Sequence, residues 1–264
     1  MKSRVIVAVM LLMLVVTLQS ALLLPSVNAE PHTEIDVATA YAMIYSTDYP
    51  NLVVMDVRIA ADYNAEHILG AINVPVIPPS PYDFTALDAW ISSPEGQSHK
   101  NDEIIVHCRT GGRSHQASNR LEASGFSKVY DLSVGISSAN PLLNAWKTAG
   151  YPTIHFTATF DIKPDTLNLD SNGEWVTCYI ELPTPNSVND IVVSTIKMCD
   201  SVSAASKPTQ IGDYDGDTVP DLMVKFDRTA VQGLLGIGEK RLWVTFGLST
   251  GKLCGGWDSI RVIG

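Results

Sequence analysis

The hydrophobic pattern of this chain changes abruptly near residue 153. Before that point, short continuous apolar runs such as residues 52–56 alternate with segments of helical period such as residues 36–44. Continuous apolar runs are typical of strands buried on both faces, and strands that alternate with helices form parallel sheets. The first part is therefore predicted to be an α/β domain, a parallel sheet with helices on both faces. The predicted strands are 52–56, 71–74, 104–107 and 129–130, and the predicted helices are 36–44, 62–66, 85–91, 114–124 and 141–149.

The second part of the chain, after Pro152, has short β-branched segments with roughly alternating polarity. Gly, Pro and Asn turns separate these segments. This pattern predicts an all-β sandwich, so the expected domains are residues 30–152 and 153–264. The predicted strands are 153–162, 175–181, 191–196, 222–226, 242–248 and 259–263.

The N-terminus has the pattern of a cleaved secretory signal peptide over residues 1–29. Lys2 and Arg4 precede the apolar residues 5–24, and residues 27–29 (Val-Asn-Ala) place small side chains before the expected cleavage point. An uncleaved membrane anchor is the alternative, because the apolar stretch is almost long enough to span a bilayer. We expect a protein that is secreted or lies at the cell-envelope exterior or in the periplasm.

The charge of the chain limits its partners. Removal of Lys2 and Arg4 with the signal would change the formal charge from −10 to −12, and no basic run remains. Nucleic acid and anionic membrane surfaces are therefore poor partners.

The four cysteines are too few for a disulfide scaffold in 264 residues, and no CxxC motif is present, so a zinc site is not expected. Cys199 and Cys254 lie near predicted strand ends and are expected to form a disulfide. Cys178 alternates with Val176 and Ile180 and is expected in the core.

Cys108 lies between a predicted buried strand and a predicted helix, in the stretch His-Cys-Arg-Thr-Gly-Gly-Arg-Ser-His over residues 107–115. Gly111 and Gly112 allow the backbone N–H groups to curl around the sulfur. The helix dipole and the guanidinium of Arg109 or Arg113 add positive potential, which favours a thiolate. The alternative is a small buried thiol at a strand end.

Three motifs together resemble the rhodanese-like sulfurtransferases. They are the Cys108 loop, the stretch VVMDVRIAADYNAEHILGAINVP at residues 53–75, and the downstream GFSKVYDLSVGI and AWKTAGYP. The resemblance covers roughly residues 33–152. It implies that Cys108 takes the outer sulfur of a donor such as thiosulfate, becomes a persulfide, and passes the sulfur to a thiol or cyanide. It implies no cofactor for catalysis. An alternative that stays open is that one of the other cysteines resolves the persulfide.

The resemblance also assigns roles to individual residues. Catalysis is expected from Cys108 and Arg113, and the donor site from Arg109, Thr110, Gly111, Gly112 and Ser114. Asp56, Arg58 and His67 are expected to support the structure, the first two as an ion pair. The loop from Cys108 to Arg113 has six residues, which favours sulfur over the phosphoryl group of related phosphatases. Val134-Gly135 replaces the usual Gly-Gly pair, and an apparent insertion at residues 136–145 leaves acceptor access open.

An acidic loop in the second part is a candidate Ca²⁺ site. Asp213, Asp215, Asp217 and Asp221 occupy positions 1, 3, 5 and 9 of a short loop, where alternate oxygens can converge on one hard cation. The loop resembles those of dockerins but lacks the position-12 glutamate of an EF-hand. A solvated acidic turn is the alternative. The surrounding segment is similar to modules on secreted archaeal and bacterial proteins, for which no enzymatic role is known.

Two functional hypotheses follow. The first is an exported sulfurtransferase whose β-domain attaches it to the envelope or to a protein partner. The second is a non-catalytic cell-surface binding protein that uses the rhodanese fold as a scaffold.

Overall fold

The computed structural model describes residues 32–264, so the predicted signal segment lies outside the described residues. The first part is built on a five-stranded parallel sheet in the order β1-β5-β4-β2-β3. Its strands are β1 (Thr33–Ile35), β2 (Val53–Asp56), β3 (Ala71–Asn73), β4 (Glu103–His107) and β5 (Lys128–Leu132). Six helices connect these strands or follow them: α1 (Val37–Ile44), α2 (Ala60–Ala65), α3 (Thr85–Ser92), α4 (Pro94–Ser98), α5 (Gly112–Ala123) and α6 (Leu142–Thr148).

Both faces of the parallel sheet are buried, as the continuous apolar runs predict. Ile104 and Val106 of β4 belong to one hydrophobic cluster, and Ile105 between them belongs to a second. Successive side chains of a strand point to opposite faces, so helices cover the sheet on both sides. The predicted α/β fold with a parallel sheet is confirmed. Asp36 caps α1, since its side chain accepts a hydrogen bond from the Thr39 backbone N–H.

The second part contains two mainly antiparallel sheets. One has the order β10-β9-β13-β14-β7 and the other β11-β12-β8-β6. Their strands are β6 (Thr159–Lys163), β7 (Thr166–Asn168), β8 (Trp175–Glu181), β9 (Lys197–Met198), β10 (Val202–Ser203), β11 (Gln210–Gly212), β12 (Asp221–Asp227), β13 (Gly238–Gly247) and β14 (Leu253–Ile263). Buried side chains of both sheets, such as Ile180 and Val244, belong to one hydrophobic cluster, which also includes Cys178 as expected. A short helix, α7 (Arg228–Gln232), follows β12.

Two predicted strands of the second part are wrong in whole or in part. The segment 191–196 forms no strand, because a 3₁₀ turn at Val193–Thr195 occupies its centre and another, at Val188–Asp190, directly precedes it. Thr195 donates its hydroxyl to the Val192 carbonyl, a local bond that competes with strand pairing. The segment predicted at 153–162 becomes regular strand only at Thr159.

The predicted Cys199–Cys254 disulfide is wrong, since all four cysteines are free and buried. The Cys199 backbone N–H donates to the Trp243 carbonyl on one side of strand β13. Cys254 lies in β14 on the other side of β13, where it is paired with Phe246. Strand spacing and register put the two residues roughly 14 Å apart, whereas a disulfide needs Cα atoms about 4.4–6.8 Å apart.

The two parts of the chain are joined by buried polar contacts around Arg241, which is 1% exposed. Its guanidinium donates to the Leu52 carbonyl at 2.9 Å and lies over the Trp257 ring. His67 and Ile154 add a pair of backbone hydrogen bonds. These contacts fix the β-rich part against the parallel sheet. Within residues 32–264, we find no helix with the length and apolarity needed to cross a membrane.

Candidate active site

Cys108 follows the last residue of β4, at the carboxyl edge of the parallel sheet. Open α/β sheets place their ligands at this edge. The side chain is 2% exposed and packs with the hydrophobic cluster on one face of the sheet. The thiol is thus held by a central strand, and only a small part of it is accessible.

A tight turn links Cys108 to helix α5. Gly111 has φ +89°, a backbone conformation that a residue with a Cβ rarely adopts, and it precedes the first helical residue, Gly112. The buried Ser114 donates its hydroxyl to the Gly111 carbonyl at 3.0 Å. The His115 N–H donates to the same carbonyl at 2.9 Å. The loop is therefore fixed at the N-terminus of a twelve-residue helix, where the dipole favours anions.

A pocket of about 250 Å³ opens beside Cys108. Its lining residues are Arg58, Asp62, Glu66, Cys108, Arg109, Pro141, Leu143 and Asn144. Two guanidinium groups and a partly shielded sulfur in one small pocket suit a small anion. The two carboxylates lie on α2 or directly after it. Glu66 is bound to Lys147 at 2.7 Å and to Thr153 at 2.9 Å, so part of its charge is balanced.

The two arginines of the loop lie on different sides of it. Arg109 lines the pocket with Cys108. Arg113 is half-buried and donates to the Val76 carbonyl at 3.3 Å, outside the set of residues that line this pocket. Thr110 and Gly112 are exposed at the loop surface. Of the two predicted anion-binding arginines, the structure brings only Arg109 to the pocket.

Arg58 lines the pocket, although the family resemblance implies only a structural role for it. Its Nε and Nη2 atoms bind the Asp56 carboxylate at 2.6–3.0 Å, which is the expected ion pair, and Nη2 also donates to the Glu66 carbonyl. Asn73 donates to the carbonyls of Asp56 and Arg58 at 2.9 Å. Arg58 therefore brings a buried and oriented positive charge to the pocket. In the sequence, the place of Arg58 in the pocket is indicated only by its position two residues after the end of β2.

The two buried histidines near the sheet edge, His67 and His107, lie outside the set of residues that line the Cys108 pocket. His107 is fully buried with Nδ1 3.9 Å from Asp56 Oδ1, and burial lowers its pKa to about 4. His67 stacks on Tyr63, and its Nδ1 lies 2.9 Å from the Tyr63 carbonyl oxygen. Burial lowers the pKa of His67 as well. Both histidines are buried, and the structural role expected for His67 stays a prediction.

The depressed pKa of His107 predicts an acid-sensitive step in stability. Between pH 6.5 and about 4 the unfolded chain binds a proton at His107 that the native chain does not, so stability falls as pH falls. The loss should reach up to about 3 kcal/mol. His107→Leu should lack this component when the free energy of unfolding in urea is measured against pH. The matched control His99→Leu should keep the slope of the wild-type protein, and equal slopes for wild type and His107→Leu would contradict the assignment.

The apparent insertion at residues 136–145 lies directly against the site. The Leu142 N–H donates to the Arg109 carbonyl at 2.9 Å, which joins the start of α6 to the Cys108 loop. Asn140 donates its side-chain N–H to the Gly135 carbonyl and holds the preceding turn. Pro141, Leu143 and Asn144 form one wall of the pocket. This segment therefore limits the size of the molecule that can reach Cys108.

The acidic loop of the second part brings its carboxylates together. Oxygens of Asp213, Asp215 and Asp221 lie within 4.8 Å of one another, and a second such group joins Asp215 and Asp217 to Glu181. Glu181 comes from the neighbouring strand β8 and was not among the predicted ligands. The Asp213 carboxylate accepts hydrogen bonds from the backbone N–H groups of Gly216 and Thr218, which shape the loop.

The fold and the site define a class of protein, an α/β domain with a cysteine between the carboxyl end of a parallel strand and the N-terminus of a helix. Residues 37–140 match the family described as the rhodanese-like domain. The chain is 32% identical over 99 residues to the chloroplastic thiosulfate sulfurtransferase 16 of Arabidopsis thaliana, covering 38% of this chain and 77% of that protein. The chain therefore belongs to the rhodanese-like family through this domain.

Two further comparisons each cover part of the chain. The chain is 35% identical over 75 residues to the thiosulfate sulfurtransferase PspE of Escherichia coli, covering 28% of this chain and 62% of that protein. The solution structure of the rhodanese-like domain of the Anabaena Alr3790 protein is 29% identical, with a TM-score of 0.36. That match covers 48% of this chain and 80% of the Anabaena chain. Both the Arabidopsis and the Escherichia coli relatives carry the name thiosulfate sulfurtransferase.

Proposed function

We propose that the protein is an exported sulfurtransferase that carries sulfane sulfur as a persulfide on Cys108. The observation that supports this most is the position of Cys108 in a small pocket with Arg58 and Arg109. The names of the relatives support thiosulfate as the donor. The proposed acceptor is a thiol or cyanide.

The reaction has two displacement steps. The Cys108 thiolate attacks the outer sulfur of thiosulfate, an S–S bond forms at Cys108, and the bond to the sulfonate sulfur breaks to release sulfite. Cyanide then attacks the outer sulfur of the persulfide, which releases thiocyanate and restores the thiolate. Arg58 and Arg109 bind the anionic donor and the leaving sulfite, and the loop N–H groups with the α5 dipole stabilise the persulfide anion.

The choice between sulfur and phosphoryl transfer is tested with two substrates for the wild-type protein. With thiosulfate and cyanide we expect thiocyanate to form, and with p-nitrophenyl phosphate we expect no release of nitrophenol. The reason is the six-residue loop from Cys108 to Arg113 together with the segment at residues 141–144 that restricts the pocket. Nitrophenol release without thiocyanate would overturn the proposal in favour of a phosphatase. The absence of both products would favour the scaffold hypothesis.

We propose that residues 1–29 direct export and that the two C-terminal sheets form a β-sandwich that attaches the protein to the envelope or to a partner. The basic start and apolar stretch of the precursor support export. The shared hydrophobic core of the two sheets supports the sandwich. Expression with the complete leader should give an exported chain that begins at Glu30, and N-terminal sequencing measures this.

We propose further that the acidic loop binds Ca²⁺, with Asp213, Asp215, Asp217 and Asp221 as ligands and Glu181 beside them. A weak extracellular site with a Kd of about 10⁻³ M should stabilise the protein by about 1.4 kcal/mol at roughly 10 mM Ca²⁺. Asp215 belongs to both carboxylate groups, so Asp215→Asn should remove this effect in thermal unfolding. Asp200→Asn, at an exposed turn, is the control that should keep it. An equal response of wild type and Asp215→Asn would count against the site.

A further inference from the structure

Four metal-ligating side chains from three separate segments meet next to β5. They are His32 and Glu34 at the start of the described chain, His115 in the first turns of α5, and Asp131 of β5. One ligand atom of each lies within 4.8 Å of the others. The proposed sulfur chemistry uses none of these residues, and none lines the pocket of Cys108.

Asp131 differs from the other members of this cluster in its burial. Its side chain is fully buried, and neither carboxylate oxygen has a hydrogen-bond partner within residues 32–264. The neighbouring hydroxyls of Ser114 and Ser133 donate to backbone oxygens, those of Gly111 and of Asp131 itself. A buried carboxylate without partners is costly, so a positively charged ligand at this position would account for it. His115 Nδ1 lies 3.6 Å from Asp131 Oδ2, and His32 Nε2 lies 3.9 Å from the same oxygen.

The two histidines point ring nitrogens at the same space. His32 Nε2 lies 3.2 Å from His115 Nδ1, and the other nitrogen of His32, Nδ1, lies 3.3 Å from Glu122 Oε2. A proton on Nδ1 that is donated to Glu122 leaves the lone pair of Nε2 facing the cluster. A carboxylate that orients a histidine in this way is a usual second partner of metal-binding histidines. The His115 side chain is about half exposed, so solvent reaches the cluster from that side.

The distances suit a small tetrahedral cation. Ligand atoms about 2.0–2.1 Å from a zinc ion lie roughly 3.3–3.4 Å from one another in a tetrahedron. The nitrogen–nitrogen distance of 3.2 Å and the two nitrogen–oxygen distances of 3.6 and 3.9 Å are close to this value. Two imidazoles with carboxylates are a ligand set that suits Zn²⁺ and similar transition metals, whereas Ca²⁺ and Mg²⁺ prefer oxygen alone.

We propose that His32, His115 and Asp131 bind a divalent transition metal, with Zn²⁺ as its test ion and Glu34 as the ligand from the exposed side. Cleavage after Ala29 would leave His32 in the mature chain. The metal would tie the segment of β1 to β5 and to the first turns of α5. His115 donates its N–H to Gly111 in the Cys108 loop, so the metal would also stabilise the start of the helix behind that loop.

The test is a calorimetric titration of the mature chain with Zn²⁺ in excess Ca²⁺, which keeps the acidic loop from competing. We expect one Zn²⁺ per chain with a Kd below about 10⁻⁶ M, and a weakening of at least about 100-fold in His115→Ala and in Asp131→Asn. Co²⁺ should give the visible absorption of a tetrahedral site in the wild type but not in His115→Ala or Asp131→Asn. His99→Ala, which removes a histidine paired with Asp102 elsewhere, should bind as the wild type does.

Two variants keep the result interpretable if Asp131→Asn fails to fold. His115→Ala changes a half-exposed side chain, and circular dichroism checks that its fold is intact. Glu122→Gln should weaken Zn²⁺ binding by about 10–100-fold, because it removes the carboxylate that orients His32. No Zn²⁺ binding by the wild type, or equal binding by a folded His115→Ala variant, would overturn the proposal and leave a metal-free histidine pair.

Discussion

The Cys108→Ala variant is expected to lose thiocyanate formation from thiosulfate and cyanide by on the order of 10⁴-fold, because it removes the nucleophile. The remaining charges of the pocket bind the donor but cannot form a covalent carrier. Cys108 packs against the core with only 2% of its surface exposed, and alanine removes one sulfur atom, so the fold should be retained. Initial rates of thiocyanate release measure the effect, with unfolding in urea as a check on stability.

The matched control is Cys254→Ala, which removes a fully buried thiol from the C-terminal sheets. This variant should keep the rate of the wild-type protein, since burial raises the pKa of the Cys254 thiol to about 11 and keeps it protonated. A Cys108→Ala variant that is as active as the wild type would rule out the persulfide mechanism. A loss of rate in Cys254→Ala at normal stability would instead indicate a second cysteine in the reaction.

The Asp56→Asn variant is expected to have the largest effect on stability, a loss of about 3 kcal/mol or more. Asp56 is fully buried and Arg58 is 5% exposed, so the change leaves a buried guanidinium without its partner. Burial alone would raise the pKa of Asp56, but His107 and Arg58 together hold it below its ordinary value of 3.8. The variant therefore also loses an interaction that is present at neutral pH and disappears only in acid.

Denaturation in urea at pH 7 measures this change, with Asp88→Asn as the control. Asp88 forms a bidentate pair with Arg120, but both side chains are nearly half exposed. An exposed pair of this kind contributes at most about 1 kcal/mol. Equal losses in the two variants would mean that Arg58 reaches solvent through the pocket, and that Asp56 does not hold it in place.

The sequence predicts local structure well where one physical cause dominates. The runs at residues 52–56 and 104–107 are buried on both faces, and no competing pattern obscures them, so β2 and β4 appear almost as expected. Gly111 and the strand before Cys108 similarly predict the loop, because a turn with positive φ favours glycine.

Features that depend on long-range geometry could not be predicted in the same way. The spacing of Arg109 and Arg113 does not reveal that only Arg109 faces the pocket, because the direction of a side chain depends on the path of the loop. Parallel pairing of β1 with β5 brings Thr33 beside Tyr130, and this pairing creates the histidine–carboxylate cluster. The β-branched segment at 191–196 was wrongly predicted as a strand. The hydrogen bond from the Thr195 hydroxyl to the Val192 carbonyl favours a turn there.

The central claim, that Cys108 carries sulfur, is tested most directly by the mass of the peptide that contains it. The wild-type protein is incubated with thiosulfate without cyanide, and the digest is analysed under non-reducing conditions. The peptide with Cys108 should gain the mass of one sulfur atom, and cyanide should remove that mass. A Cys108 peptide of unchanged mass, or an equal gain on the peptides of Cys199 and Cys254, would contradict the proposed mechanism.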